Sequence, residues 1–167
     1  MLWKAFELRP EPVPTLDPRG LYLERVWSAS VYPLAERLGM VMKLPPVQPR
    51  SRRAHEAAKW AGSLGRFDDY NAAVFRAFFE RGRDIGEIEV HVRLAADLQL
   101  DADALRRALD GREFEAGVLA DEREAEELGV SSVPAFIASS ITGRRAALSG
   151  AQSATTLRAL VDQVRAG

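Results

Sequence analysis

The sequence predicts an α/β fold, and three patterns carry that reading. Residues Leu2–Leu8 alternate with a period of two, apolar residues recur at helical spacing from Ser51 to about Gly129, and a short apolar run, Val133–Ala138, precedes a turn and a return segment. In chain order this gives a strand, a helical block, a hairpin and a closing helix.

Each element has a local reason. In Leu2–Leu8 the residues Lys4, Phe6 and Leu8 fall on one face of the expected strand, and Arg9–Pro14 (RPEPVP) follows as a proline-stiffened loop. Ser30 is placed to cap a helix with Pro33 in its first turn and Leu34, Leu38 and Val41 near its apolar face. Leu44–Pro49 (LPPVQP) then forces extended chain, because a residue before proline is pushed out of the helical region. The block from 51 to 129 predicts four or five short helices packed together. In it Tyr70, Val74, Phe75 and Phe78 share one face of the second helix, Asp101 caps a helix carrying Leu105, Ala108 and Leu109, and Phe114, Val118, Ala125 and Leu128 stripe the last helix before Gly129 stops it. Ser139–Gly143 is the expected turn, Arg145–Leu148 the return strand and Gly150 its end. Ser153 caps a final helix that buries Leu157, Leu160, Val161 and Val164.

Composition narrows the chemistry. With 167 residues, 47% of them hydrophobic, the chain can bury a core of its own. Its 23 basic and 24 acidic residues nearly cancel, so nothing attracts a polyanion and no nucleic-acid partner is expected. Its apolar runs fall far short of the roughly 20 residues a bilayer span needs, and Met1–Pro10 has no apolar signal core. The chain therefore reads as cytoplasmic, with no membrane partner. A count of zero cysteines removes disulfides, thiolate nucleophiles and thiolate metal ligands together. The two histidines, His55 and His91, have no zinc-site spacing, and no glycine-rich phosphate loop occurs, so neither metal nor cofactor is expected. Both histidines read as packing or surface residues, and Glu122–Glu127 as a solvated helix face.

Val133–Pro134 is the most informative dipeptide. Taken alone it marks an edge strand with a trans bond, since proline cannot donate to a ladder and only about 5–6% of X-Pro bonds in folded proteins are cis. Its surroundings say more. Ser131–Phe136 (SSVPAF) follows a helix ending Glu127–Gly129 (ELG), and after the hairpin Leu148–Gln152 (LSGAQ) leads into a helix. This arrangement resembles the C-terminal half of DsbA-family thioredoxin-fold proteins. More narrowly it is similar to the FrnE-like branch and its relatives, the 2-hydroxychromene-2-carboxylate isomerases and kappa-class glutathione transferases. The likeness runs on through Arg53–Glu56 (RAHE), Phe75–Ile85 (FRAFFERGRDI) and Ala120–Gly129 (ADEREAEELG), while Trp3–Pro10 (WKAFELRP) resembles the segment after the family's first helix. It covers nearly the whole chain, and the order and spacing of the blocks carry it.

The resemblance implies a thioredoxin-like, DsbA-type fold with a large all-helical insertion. Residues 1–50 and 130–167 would form the thioredoxin-like half and 51–129 the insertion, in one compact domain overall. It implies thiol–disulfide exchange as the family activity. It also implies a cis bond at Val133–Pro134 that turns the backbone of Val133 toward a cleft, so that Ser132, Val133 and Pro134 would contact substrate. The partner would be an extended peptide, a protein thiol or disulfide, or glutathione, added like a strand over one residue. Arg50, Arg52 and Arg53, at a helix start where the dipole disfavours cations, would either solvate a loop or bind an anion such as a glutathione carboxylate.

The departure from the family is as plain. Family members begin with a strand and a helix whose N-terminus holds Cys-x-x-Cys, or a serine in the glutathione-dependent relatives, because a helix N-terminus stabilises a thiolate. Here the sequence starts at what would be the second strand, so the N-terminal βα element is absent and no residue inherits the catalytic role. Three readings stay open: a start internal to a longer oxidoreductase, a glutathione-dependent isomerase or transferase relative with the same element missing, and a complete, non-catalytic binding module. If nothing precedes Met1, the family topology would leave Leu2–Leu8 without its central neighbour. It is expected to pair elsewhere, to take a strand from another chain, or to fold poorly.

Overall fold

Among the described residues, 1–165 of a computed structural model, helical spacing becomes eight α-helices and the C-terminal apolar run becomes a hairpin. The helices are α1 (Leu21–Val26), α2 (Tyr32–Arg37), α3 (Arg52–Ser63), α4 (Phe67–Phe75), α5 (Ile88–Asp97), α6 (Ala102–Asp110), α7 (Glu115–Glu127) and α8 (Ala154–Arg165). Strands β1 (Ala135–Ser139) and β2 (Arg145–Ser149) lie between α7 and α8, and π-turns at Trp27–Val31 and Arg76–Glu80 join α1 to α2 and extend α4. The chain divides into two compact units, Met1–Asp121 and Glu122–Gly167. Residues 1–50 fall into the first unit together with the helices α3 to α6. No helix among the described residues is long and apolar enough to cross a membrane.

In the first unit, small side chains let the helices approach. Alanine at i, i+3, i+4 and i+7 of α3 (Ala54, Ala57, Ala58 and Ala61) is buried throughout, and α3 packs on α4, α5 and α6 around Trp60, Tyr70, Leu94, Leu105 and Leu109. On α4 the expected core line Tyr70, Val74, Phe75 holds only in part. Tyr70 and Val74 are buried, but Phe75 is 49% exposed, because the inward line keeps ordinary helical spacing and runs Tyr70, Ala73, Val74 and Ala77.

The helix expected to start at Ser30 starts at Leu21. Ser30 caps nothing and sits inside the first π-turn, where Tyr32 N–H bonds Trp27 O, five residues back. That wide turn lies just ahead of Pro33, which has no N–H to give a regular helix. Leu23, Trp27 and Ala35 form the buried line, whereas Leu38 and Val41, expected near the apolar face, are exposed. The proline run then docks on the second π-turn. Lys43 N–H bonds Phe79 O at 2.8 Å, Leu44 N–H bonds the Tyr32 hydroxyl at 3.2 Å, and Pro45 is fully buried. Gly82, at φ +62°, gives this run room: a Cβ there would sit 2.8 Å from Pro46 Cδ.

Leu2–Leu8 is not a strand: no ladder includes it among the described residues. Its backbone finds a side-chain acceptor instead, Ala5 N–H bonding Asp121 Oδ2 at 2.9 Å, and Asp121 also takes Lys59 at 2.6 Å and Lys4 at 3.2 Å. Ala5 and Glu7 are the buried residues, Glu7 being paired to Arg52.

In the second unit β1 and β2 run antiparallel from Ala135↔Ser149 to Ser139↔Arg145. Phe136, Ala138, Ala146 and Leu148 pack with Leu160 and Val164 of α8, while Val161, expected in that face, is 39% exposed. The expected caps are present at both helices: Asp101 Oδ1 accepts from Ala104 N–H at 2.8 Å, and Ser153 Oγ from Thr156 N–H at 3.0 Å. The stop after α7 is a Schellman turn, with Val130 N–H on Ala125 O, Gly129 N–H on Glu126 O, and Gly129 at φ +70°.

Candidate functional site

Antiparallel pairing alternates which edge a residue's N–H and C=O face. Gly150 N–H bonds Pro134 O at 2.8 Å and Ser140 N–H bonds Arg144 O at 2.9 Å, so the even-numbered residues of β1 turn toward β2. Ala135, Ile137 and Ser139 therefore direct their backbone groups to the other edge, which no strand among the described residues occupies.

Ser132, Val133 and Pro134 lead into that strand and are all exposed, Val133 at 44%. The Val133–Pro134 bond is cis. Ser132 Oγ lies 3.1 Å from Ser149 Oγ, and Gln152 Nε2 donates to Ser149 O at 2.7 Å. Val133 thus stands between two anchored neighbours, and among the described residues no hydrogen bond engages its own N–H or C=O. Two surface hollows, one at Gly65–Asp69 and one between the hairpin tip and α8, do not include it. The loop is an open ledge that suits an extended backbone better than an enclosed small molecule. Sequence reasoning picked out Ser132, Val133 and Pro134 but gave Ser149 no role, and its only signal was its place in the Leu148–Gln152 block.

The other candidates are internal. Arg50 Nη1 bonds the carbonyls of Arg9 and Val13, both at 2.5 Å, Arg52 pairs with Glu7 and with Glu115 at 3.6 Å, and Arg53 bonds Leu109 O. The basic cluster therefore clamps the N-terminal segment and α6 rather than solvating a loop. His91 is fully buried; the Tyr70 hydroxyl lies 3.0 Å from its Nδ1 and Ile85 O 2.8 Å from its Nε2, a fit for a neutral ring that accepts from Tyr70 and donates to Ile85. Burial holds its pKa below the usual histidine range, against the pull of the Ile85 bond. His55 is lowered in the same way, by burial first, against the Glu7 carboxylate and a bond to the Phe6 backbone. Among the described residues no three His, Asp or Glu side chains could hold a metal ion together.

Comparison with known proteins agrees with this architecture. The family model of the DSBA-like thioredoxin domain matches residues 1–162. The uncharacterized protein YwbO of Bacillus subtilis (strain 168) is 34% identical over 139 residues, 81% of this chain and 70% of that protein. The crystal structure of a probable DsbA oxidoreductase from Streptomyces coelicolor superposes with a TM-score of 0.73 at 23% identity, over 98% of this chain and 74% of that one. A second crystal structure, from Nitrosomonas europaea, has a TM-score of 0.71 at 18% identity, over 90% of this chain and 76% of its own. At these identities the two structures speak for the fold. The match along nearly the whole sequence speaks for the family: the chain belongs to the DSBA-like thioredoxin domains.

Proposed function

We propose that this chain serves thiol–disulfide chemistry as a substrate-holding platform, in the manner of the FrnE-like branch, and that Ser132, Val133 and Pro134 bind one residue of an extended peptide or of glutathione. The observation that carries the reading is Val133, exposed, with no hydrogen bond to its backbone N–H or C=O among the described residues, at the entrance to a strand. With no cysteine the 167 residues themselves supply no thiolate, so any electron-transferring sulfur lies outside them.

Two measurements test this together. In the first, the purified chain is expected to reduce insulin with dithiothreitol no faster than buffer does; clear turnover would mean that chemistry other than thiolate exchange operates. In the second, titration of ¹⁵N-labelled chain with glutathione disulfide, or with a capped, cysteine-free extended hexapeptide, should move the amide resonances of Ser132, Val133 and Ala135. Shifts centred elsewhere, or none at millimolar ligand, would remove the assignment.

A further inference from the structure

Val133 is held from both sides, and the two holds differ in kind. On the C-terminal side a backbone bond does the work, Gly150 N–H to Pro134 O at 2.8 Å. On the N-terminal side a side chain does it, Ser149 Oγ reaching Ser132 Oγ at 3.1 Å. Ser149 is well placed for this. It ends β2 opposite Ala135, so strand pairing fixes its Cα, and Gln152 Nε2 fastens its carbonyl at 2.7 Å. Both serines are exposed, and a bond between two exposed hydroxyls adds little to folding, because water satisfies either group when the bond is broken.

We propose that Ser149 is a positioning residue for substrate binding, acting through Ser132 to keep the backbone of Val133 presented to a ligand before the ligand arrives. This rests on the reading of Ser132, Val133 and Pro134 as the binding loop. A ledge that is already ordered loses less entropy on binding, so removing the brace weakens affinity without touching any contact the ligand makes. The ligand chemistry is a peptide backbone in extended form, which glutathione disulfide and a capped hexapeptide share and which serve as separate probes.

The experiment measures dissociation constants of both probes by ¹⁵N shift titration for wild type, Ser149→Ala, Ser132→Ala, the double variant and Ser149→Thr. Ser149→Ala should bind roughly two- to tenfold more weakly, the range one net hydrogen bond carries, at an unchanged melting temperature. Ser149→Thr, which keeps the hydroxyl, should restore binding, and the double variant should be no weaker than Ser132→Ala alone. No binding by wild type would overturn the loop assignment itself. Wild-type binding with Ser149→Ala equally tight, or with losses that simply add in the double variant, would overturn the positioning role alone. Weakening of one probe only would mean the brace acts on that ligand's side chains, not on its backbone, and would also overturn it.

Discussion

Two acidic side chains, Glu56 on α3 and Asp121 on α7, are buried to a similar degree and answer pH in opposite ways. Glu56 is 1% exposed; among the described residues its Oε2 accepts no hydrogen bond, and it lies 3.8 Å from Arg53 Nη1. Burial raises its pKa above the usual carboxylate range, and the nearby Arg53 only partly offsets this. A folded state that holds the proton more tightly than the unfolded chain is favoured below the unfolded pKa, and it loses that advantage as pH rises through the folded pKa. Glu56→Gln removes the ionisation and keeps the shape. Melting curves should show the variant more stable than wild type at pH 8, with the gap closing toward pH 4. A variant less stable at pH 8 would mean that the Arg53 contact outweighs the burial of the charge.

At the scale of the element, Asp121 decides where the N-terminal segment goes. Burial pushes its carboxyl up, but Ala5 N–H, Lys59 and Lys4 together outweigh that and hold its pKa below the usual range. Its contribution is therefore present above the ordinary aspartate pKa and lost as pH falls through the folded value. Asp121→Ala strands the buried Ala5 N–H and should cost about 1–3 kcal/mol at pH 7, with faster amide exchange at Ala5 than in wild type. Unchanged exchange there would show that another contact holds the segment. The sequence pattern could not show this clasp. Alternation in Leu2–Leu8 says which residues share a face, but not whether a partner strand is present, and the acceptor that replaces the ladder lies 116 residues away. The π-turn at Trp27–Val31 escaped for a related reason, since Pro33 looks like a first-turn residue unless the helix is known to have begun earlier. By contrast Asp101, Ser153 and Gly129 were legible because a cap or a stop depends on neighbours within a few positions. The loop Ser132–Pro134 stood out in the sequence for its proline, whereas Ser149, seventeen residues on, became visible only once the hairpin register was known.

At the scale of the whole molecule, the two units have unequal means of resisting opening. The first gathers a continuous core from α3 to α6, with Trp60, Tyr70, Leu94, Leu105 and Leu109 buried together. The second rests on Ala138, Leu160 and Val164, helped by the partly buried Phe136, Ala146 and Leu148. Burial scales with the apolar area removed from water, and a unit of this size closes off a smaller share of its surface than a larger one does. Its sheet has two strands, and an isolated hairpin is marginal in water. Opening should therefore be sub-global, with the hairpin and α8 exchanging through a lower-energy state than the helical core. Native-state hydrogen exchange at low denaturant should place amides of Phe136, Ala138 and Leu160 at least about 1.4 kcal/mol, one factor of ten, below those of Leu94, Ala95 and Leu105. Within β1 the alternation should show as well: Phe136 and Ala138, turned toward β2, exchange more slowly than Ile137 and Ser139, which face the other edge. If β1 amides were uniformly protected and opened only with the helical core, a further strand would have to cover that edge in solution, and the ledge at Val133 would not be open to a ligand.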